Sequence, residues 1–401
     1  MRFDFRCLSQ FLGLAYLSVA APLLFFGSAA SASKPLSFSI HQEYLSTRAM
    51  GMGNAFTAIA DDHSVLFYNP AALARRDRGN MHFFIRGGVD SGLLDFISEV
   101  GEASDGGGTE SEKINRITEL IESKYGSHFG NRLATLGGFW VRPNWGMAFI
   151  PMDLSLDLGI DQQVGPMINA IAYADSTFAY GYGQNVDWLG ANHPLSVGVT
   201  AKAVHRVYIG EAVSVANLAG GGDVFDDDLA KEGMTFDADI GLMYSPPIPE
   251  SGMFSFLKHM KPTFAVVIRN ALDYGFPINL GLLDGSGEPP PLQRRLDLGS
   301  AYQLPQVWVF DPHLALDLRD IGHENWSFGK GLHVGAEFYW TMFNWWKGHW
   351  SAGFNQGYWS AGVGARMAVF QFDLATWGEE VGTSSVPRES RRFMLELSLD
   401  F

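Results

Sequence analysis

Asp223 with Asp226-Asp227-Asp228 is the first arrangement in the 401-residue chain that could do chemistry. Clustered carboxylates can hold a divalent cation, or bridge one to anionic lipopolysaccharide. A run of like charge is more plainly a solvated loop. His41, His63, His82, His193, His205, His313 and His333 are scattered, with no HxxxH or HExxH spacing, so they read as lumen or interface histidines and no metal site is expected. Serine, histidine and aspartate occur without a nucleophile elbow or other catalytic signature, so no enzyme is read here. The one cysteine, Cys7, lies in the leader described below, which leaves no disulfide, thiolate ligand or thiol nucleophile beyond it. The net charge is −15, and no basic patch argues for nucleic acid. No catalytic residue and no cofactor are assigned. The remaining candidate is Asp61-Asp62, in a small-residue segment. Paired carboxylates that become buried need cations, and Arg206, Arg269, Arg319 and Arg366 are the candidate partners.

The elements that would position these groups show a period of two. From Phe393 to Phe401, apolar Phe393, Leu395, Leu397, Leu399 and Phe401 alternate with Met394, Glu396, Ser398 and Asp400. One face of such a strand meets an apolar phase and the other meets water. At the other end, Arg2 and Arg6 precede an apolar run from Phe11 to Phe26, then Ala30-Ser31-Ala32. That order of regions is a secretory signal peptide over 1–32, and it leaves a mature net charge of −16. Charged residues are 18%, aromatics 13%, and there are 46 glycines. Export, a closing aromatic strand, low charge and abundant aromatics together predict an all-β transmembrane antiparallel barrel in a Gram-negative outer membrane. Its partners would be outer-membrane lipid and the barrel assembly machinery.

Alternation and turns predict fourteen strands, near 80–88, 133–141, 145–157, 171–183, 195–208, 234–245, 262–270, 293–303, 308–319, 331–341, 347–354, 358–367, 369–378 and 391–401. A charge facing lipid at mid-depth costs roughly 2–4 kcal/mol. Asp153, Asp237, Asp239, Asp297, Asp317 and Glu337 are therefore expected in the lumen, where they disfavour an anionic substrate unless arginines offset them. Loops after odd strands are expected at the extracellular side and mostly long, including 89–132 and 158–170. Asn355-Gln356-Gly357 is a tight turn where a surface loop is expected. In the longest loop, Ile114, Ile117, Leu120, Ile121 and Tyr125 recur at helical spacing after a Gly106-Gly107-Gly108 link. This predicts a helix capping the barrel mouth or forming a lid. Trp340, Trp345, Trp346, Trp350 and Trp359 read as an interface girdle rather than a sugar-stacking site.

Residues 48–73 do not read as a strand. Gly51 and Gly53 permit close backbone approach, Ala55 to Ala60 could form a short helix, and Asp61-Asp62 can cap or turn the chain. Asn69-Pro70 favours a turn leading into a helical turn through Ala71, Ala72 and Leu73. The expected organisation is a signal peptide over 1–32, an N-terminal plug over 33–78 and a barrel over 79–401. The ordered series Arg48-Ala49-x-Gly51-x-Gly53, Ala60-Asp61-Asp62 and Asn69-Pro70-Ala71 resembles the FadL-like outer-membrane family. The stretches Gly331-Leu332-His333-Val334-Gly335-Ala336-Glu337 and Gly353-Phe354-Asn355-Gln356-Gly357-Tyr358 look more like the PorV-like and TraF-like relatives of that superfamily. The resemblance implies a fourteen-stranded barrel that takes up hydrophobic small molecules such as long-chain fatty acids. The plug would shift as a gate, and the ligand would leave sideways through the wall. The PorV-like resemblance implies the alternative, a non-transporting barrel that docks partner proteins for secretion or envelope assembly, at the surface or the periplasmic face.

Overall fold

The computed structural model describes residues 37–162, 166–190, 192–214, 229–253, 255–283, 287–383 and 385–401. The leader over 1–32 and the acidic cluster at Asp223 and Asp226-Asp227-Asp228 lie outside the described residues. Among the described residues fourteen strands close into one barrel. They are β1 Asn80–Asp90, β2 His128–Arg142, β3 Trp145–Gln162, β4 Pro166–Val186, β5 Leu195–Ser214, β6 Lys231–Tyr244, β7 Thr263–Arg269, β8 Arg295–Gln303, β9 Phe310–Ile321, β10 Leu332–Phe343, β11 Trp346–Asn355, β12 Tyr358–Met367, β13 Phe370–Glu380 and β14 Glu389–Asp400. Each strand pairs antiparallel with its neighbour, and β14 closes on β1 with His82 opposite Asp400 and Val89 opposite Phe393.

Side-chain alternation decides which phase each face meets. On β6, Phe236 and Ile240 are about half exposed, whereas Asp237 and Asp239 between them are buried. The same division holds for Leu316 against Asp317 and for Leu395 and Leu397 against Glu396. The outward belt of Phe83, Ile85, Phe149, Phe178, Val363 and their neighbours is a lipid-facing surface around a polar interior. An even-stranded antiparallel barrel of this kind is an outer-membrane protein of a Gram-negative bacterium. Trp345, Trp350 and Trp359 are exposed on that belt.

The wall is uneven in height. β3, β4 and β5 run 18, 21 and 20 residues, whereas β7 has 7. The expected loop over 158–170 is therefore mostly strand, because the alternation continues past Leu158 and the hairpin still pairs Gln162 with Pro166. Gln356 and Gly357 both take positive φ, which fits a two-residue hairpin turn and keeps the strand count intact.

Three short helical pieces precede the barrel: α1 Thr47–Gly51, α2 Val65–Tyr68 and a 3-10 turn Pro70–Arg75. Between β1 and β2 lie two helices, α3 Leu93–Asp105 and α4 Glu110–Ser123, where one was expected. Thr109 and Glu112 form a reciprocal capping box that starts α4. Leu93 and Phe96 from α3 meet Ile117 and Ile121 from α4 over Phe129, Ile160 and Ile168 of the tall wall. A last short helix, α5 Phe328–Gly331, precedes β10.

Candidate functional site

Residues 48–73 are mostly buried against the wall, and their seat begins with missing side chains. A Cβ at Gly51 would lie 2.5 Å from Ser351 Oγ and 2.7 Å from Gly362 Cα. At Gly53, where φ is +65°, it would lie 2.5 Å from Phe354 O and 2.6 Å from Val334 O. Those contacts are too short for any other residue, so plug backbone rests directly on the backbone of β10, β11 and β12. The wall answers with its own glycines: a Cβ at Gly362 would meet Gly51 Cα at 2.8 Å, and one at Gly353 would meet Gly53 N at 2.9 Å. On the opposite side the Asn69-Pro70-Ala71 corner seats against Gly198 and Gly241 of β5 and β6. Asn69 holds that corner by accepting from Ala71 N (3.0 Å) and donating to Thr57 O (3.0 Å).

Arg48 is the electrostatic link between plug and wall. Its Nη1 donates to Asp61 Oδ1 (2.7 Å) and to Asp62 Oδ2 (2.9 Å), both in the plug. Its Nε and Nη2 make a bidentate pair with Glu337 of β10, at 2.8 Å each. The guanidinium also lies 4.8 Å from the ring centroids of Phe56 and Tyr339. Burial pulls the Arg48 guanidinium down, but Asp61, Glu337 and Asp62 outweigh it and hold it well above its usual range. Burial likewise opposes the Asp62 charge. The charges of His63 and Arg48 and two hydrogen bonds from Ser64 overcome it, holding the carboxyl well below the usual carboxylate range.

Asp61 and Asp62 thus take their cation from Arg48, only 13 and 14 residues away. The four wall arginines expected to anchor them face other groups. Arg206 pairs bidentately with Asp175 (2.8 and 2.7 Å), Arg269 with Asp297 (2.6 Å) and Arg366 with Asp400 (2.6 Å). Arg319 does reach the plug, but through a backbone carbonyl, donating to Asn54 O at 2.9 Å. The reason is reach: Arg206, Arg269 and Arg319 each have a carboxylate on an adjacent strand, and Arg366 has one two strands away on β14, all within 3.5 Å. The expected helix over Ala55 to Ala60 is cut to a single turn. Ile59 N and Ala60 N donate to Phe56 O (3.2 and 3.0 Å), Asp317 Oδ2 caps the turn by accepting from Phe56 N and Thr57 N (2.8 and 2.7 Å), and the positive φ of Ala60 ends it. His333 Nδ1 lies 2.9 Å from Gly53 O.

The six carboxylates expected in the lumen are all buried there. Asp153 pairs with Arg132 (2.9 Å), Asp239 with Lys202 (2.8 Å), Asp297 with Arg269 and Glu337 with Arg48. Asp317 receives plug backbone, and Asp237 receives Leu272 N at 3.0 Å.

Residues 37–45 form a second inserted segment that sequence reasoning did not single out within the plug. It runs extended, and wall side chains grip its carbonyls. Lys330 Nζ donates to Phe38 O (2.5 Å), Asn325 to Ser39 O (3.1 Å), Arg295 to His41 O (3.1 Å) and Arg132 to Gln42 O (2.7 Å). Glu43 pairs with Arg295 at 2.8 Å, and His41 stacks on Tyr173 at 3.9 Å. Such contacts use backbone acceptors common to all residues, so no motif announces them.

In shape the barrel is similar to FadL-type channels. The Ralstonia pickettii toluene transporter TbuX is 10% identical, with a TM-score of 0.46 over 90% of this chain and 99% of that one. The monoaromatic hydrocarbon channel CymD is 10% identical, with a TM-score of 0.47 over 88% and 96%. A Pseudomonas aeruginosa FadL homologue is 10% identical, with a TM-score of 0.42 over 92% and 99%. No protein-family model matches the sequence, and no curated protein matches it. At these identities and scores the functional reading has to come from the site.

Proposed function

We propose that this barrel lets hydrophobic small molecules pass the outer membrane passively, with residues 48–73 as the gate. The observation that carries this reading is an apolar mouth above a separately seated plug. The loop between β7 and β8 exposes Leu272, Tyr274, Ile278, Leu280 and Leu282 to solvent. It is held against the tall edge of β6 by the Met234–Ile278 bridge and by Glu232, which accepts from Leu282 N (2.8 Å) and Leu283 N (2.9 Å). An exposed apolar patch gathers apolar ligands from water. Below it the plug is held only by reversible contacts. The ladder is irregular between β1 and β2 at Arg86/Gly88, and between β2 and β3 at Arg132/Ala134 and Leu136/Gly138. We place the lateral exit there, where pairing is already interrupted.

The ligand class follows from the charges. Arg206, Arg269 and Arg366 each already face a carboxylate, so the headgroup of a long-chain fatty acid gains no free cation from them. A neutral hydrocarbon suits the lumen better than an anionic lipid. Gating is tested by deleting 36–60 and following a hydrophobic fluorescent probe and a polar antibiotic in the same cells. Leak of the antibiotic with altered probe uptake supports the gate. Leak with no probe transport before or after deletion overturns it.

One observation favours a second reading, a barrel that docks partner proteins. Residues 37–45 are held at Phe38, Ser39, His41, Gln42 and Glu43 by surrounding side chains. The second outcome of the deletion experiment supports this reading.

A further inference from the structure

We propose that His63, His82 and Glu396 form a binding site for a late first-row divalent cation, which pins the plug to the closing seam of the barrel. His63 belongs to the plug, His82 to β1 and Glu396 to β14, so the three come from distant positions that no sequence spacing connects. One ligand atom from each lies within 4.8 Å of the others, and all three residues are buried. Two imidazoles and a carboxylate are a donor set that suits zinc, iron, nickel and copper.

The independent sign of a missing partner is His82. It is fully buried, yet neither ring nitrogen has a hydrogen-bond partner among the described residues. Its Nε2 lies 3.4 Å from Glu396 Oε1, and its Nδ1 lies 3.8 Å from Asp400 Oδ1. That is the layout of a metal-binding histidine: one nitrogen faces the ion's place beside a ligand carboxylate, and the other faces a carboxylate that orients the ring. Glu396 Oε2 is already used, accepting from Thr47 Oγ1 at 2.9 Å and lying 3.6 Å from Arg86 Nη1, which leaves Oε1 for the ion. The Tyr44 hydroxyl lies 3.5 Å from His63 Nε2.

Two donors each about 2.1 Å from one ion are at most about 4.2 Å apart, and the ligand atoms lie within 4.8 Å of one another, so any pair beyond that limit has to close in. The His63 and His82 rings, now stacked at 3.5 Å with 10° between their planes, must also splay so that their in-plane lone pairs converge. Ion binding therefore tightens the plug against β1 and β14, a short way round the wall from its glycine seat on β10–β12.

The test uses the full barrel purified in detergent, stripped with a chelator and titrated with Zn2+ by calorimetry. Co2+ absorption reports whether nitrogen and oxygen ligands surround the ion. The expected result is one tight Zn2+ per chain, weakened tenfold or more by His63→Gln and separately by Glu396→Gln. Glu250→Gln, on an exposed turn, serves as control. Heat-modifiable migration shows that each variant folds, and if one does not, the other carries the test. No tight Zn2+ in the unaltered barrel, or equal binding in both folded variants, overturns the proposal.

Discussion

The two inserted segments are held in opposite ways. Residues 48–73 meet the wall largely backbone against backbone, through glycines on both sides, with Arg48–Glu337 as an ion pair and Asp317 and Arg319 holding plug backbone groups. Residues 37–45 meet it through side chains that reach out to carbonyls one at a time. The first kind of contact depends on shape and fails all at once when any atom is added. The second is a set of separate hydrogen bonds, each of which water can replace at a net cost of about 1 kcal/mol. If such a lumen opens, the difference predicts that it does so in steps, the upper segment loosening while the plug stays seated.

The largest effect should come from filling the glycine seat. Gly362→Val places atoms on Gly51 Cα, and Gly51→Val does the same from the plug side. Overpacking of this kind costs about 1–3 kcal/mol or more, here concentrated on plug seating. Either variant should insert normally yet sensitise cells to a polar antibiotic. A folded, non-leaky Gly362→Val barrel would contradict the shape-dependent seat.

Arg48→Ala comes next. It leaves Glu337 buried without its cation, and breaking a buried pair costs about 3–5 kcal/mol. Hydrogen exchange over 47–62 should accelerate, while exchange in β2–β6 stays slow. Arg48→Lys should recover only part of the protection, because an ammonium cannot pair bidentately with Glu337.

Asn325→Ala removes one grip on the upper segment, at about 0.5–1.5 kcal/mol. Exchange should quicken over 37–41 and not over 48–73. Acceleration of both segments together would mean that they move as one body.

The smallest effect near neutrality is that of pH. The folded Asp62 carboxyl sits below its unfolded value of about 3.9. Its contribution is therefore complete above that value and is lost as pH falls through the folded one. The difference in plug exchange between the unaltered barrel and Asp62→Asn should be constant from pH 8 to 5 and shrink only in stronger acid.

The barrel was legible because a period of two, repeated fourteen times, needs no knowledge of partners. The close approach at Gly51 and Gly53 and the turn at Asn69-Pro70 were legible because they follow from backbone chemistry alone. The partner of Asp61 and Asp62 was not, since charge composition says who could pair but not how far each side chain reaches. Helix α3 was hidden because no side chain caps its start, whereas α4 begins with a capping box, and the tall hairpin β3–β4 was hidden by polar residues that resemble a loop. The Ala55–Ala60 segment keeps only one turn of its expected helix, because Ala60 takes a positive φ, and the cap on its first donors, Asp317, lies over 250 residues away where no local pattern shows it.

The most direct test of the gate is to lock it. An ideal Cβ at Gly299 of β8 lies 2.9 Å from Thr57 Cβ of the plug, and disulfides span about 3.8 Å between Cβ atoms. Thr57→Cys with Gly299→Cys should therefore cross-link plug to wall after a small shift, with no other cysteine beyond the leader to interfere. If the plug is the gate, uptake of the hydrophobic probe stops when this bond forms and returns when it is reduced. Undiminished uptake through the fully cross-linked barrel would contradict it.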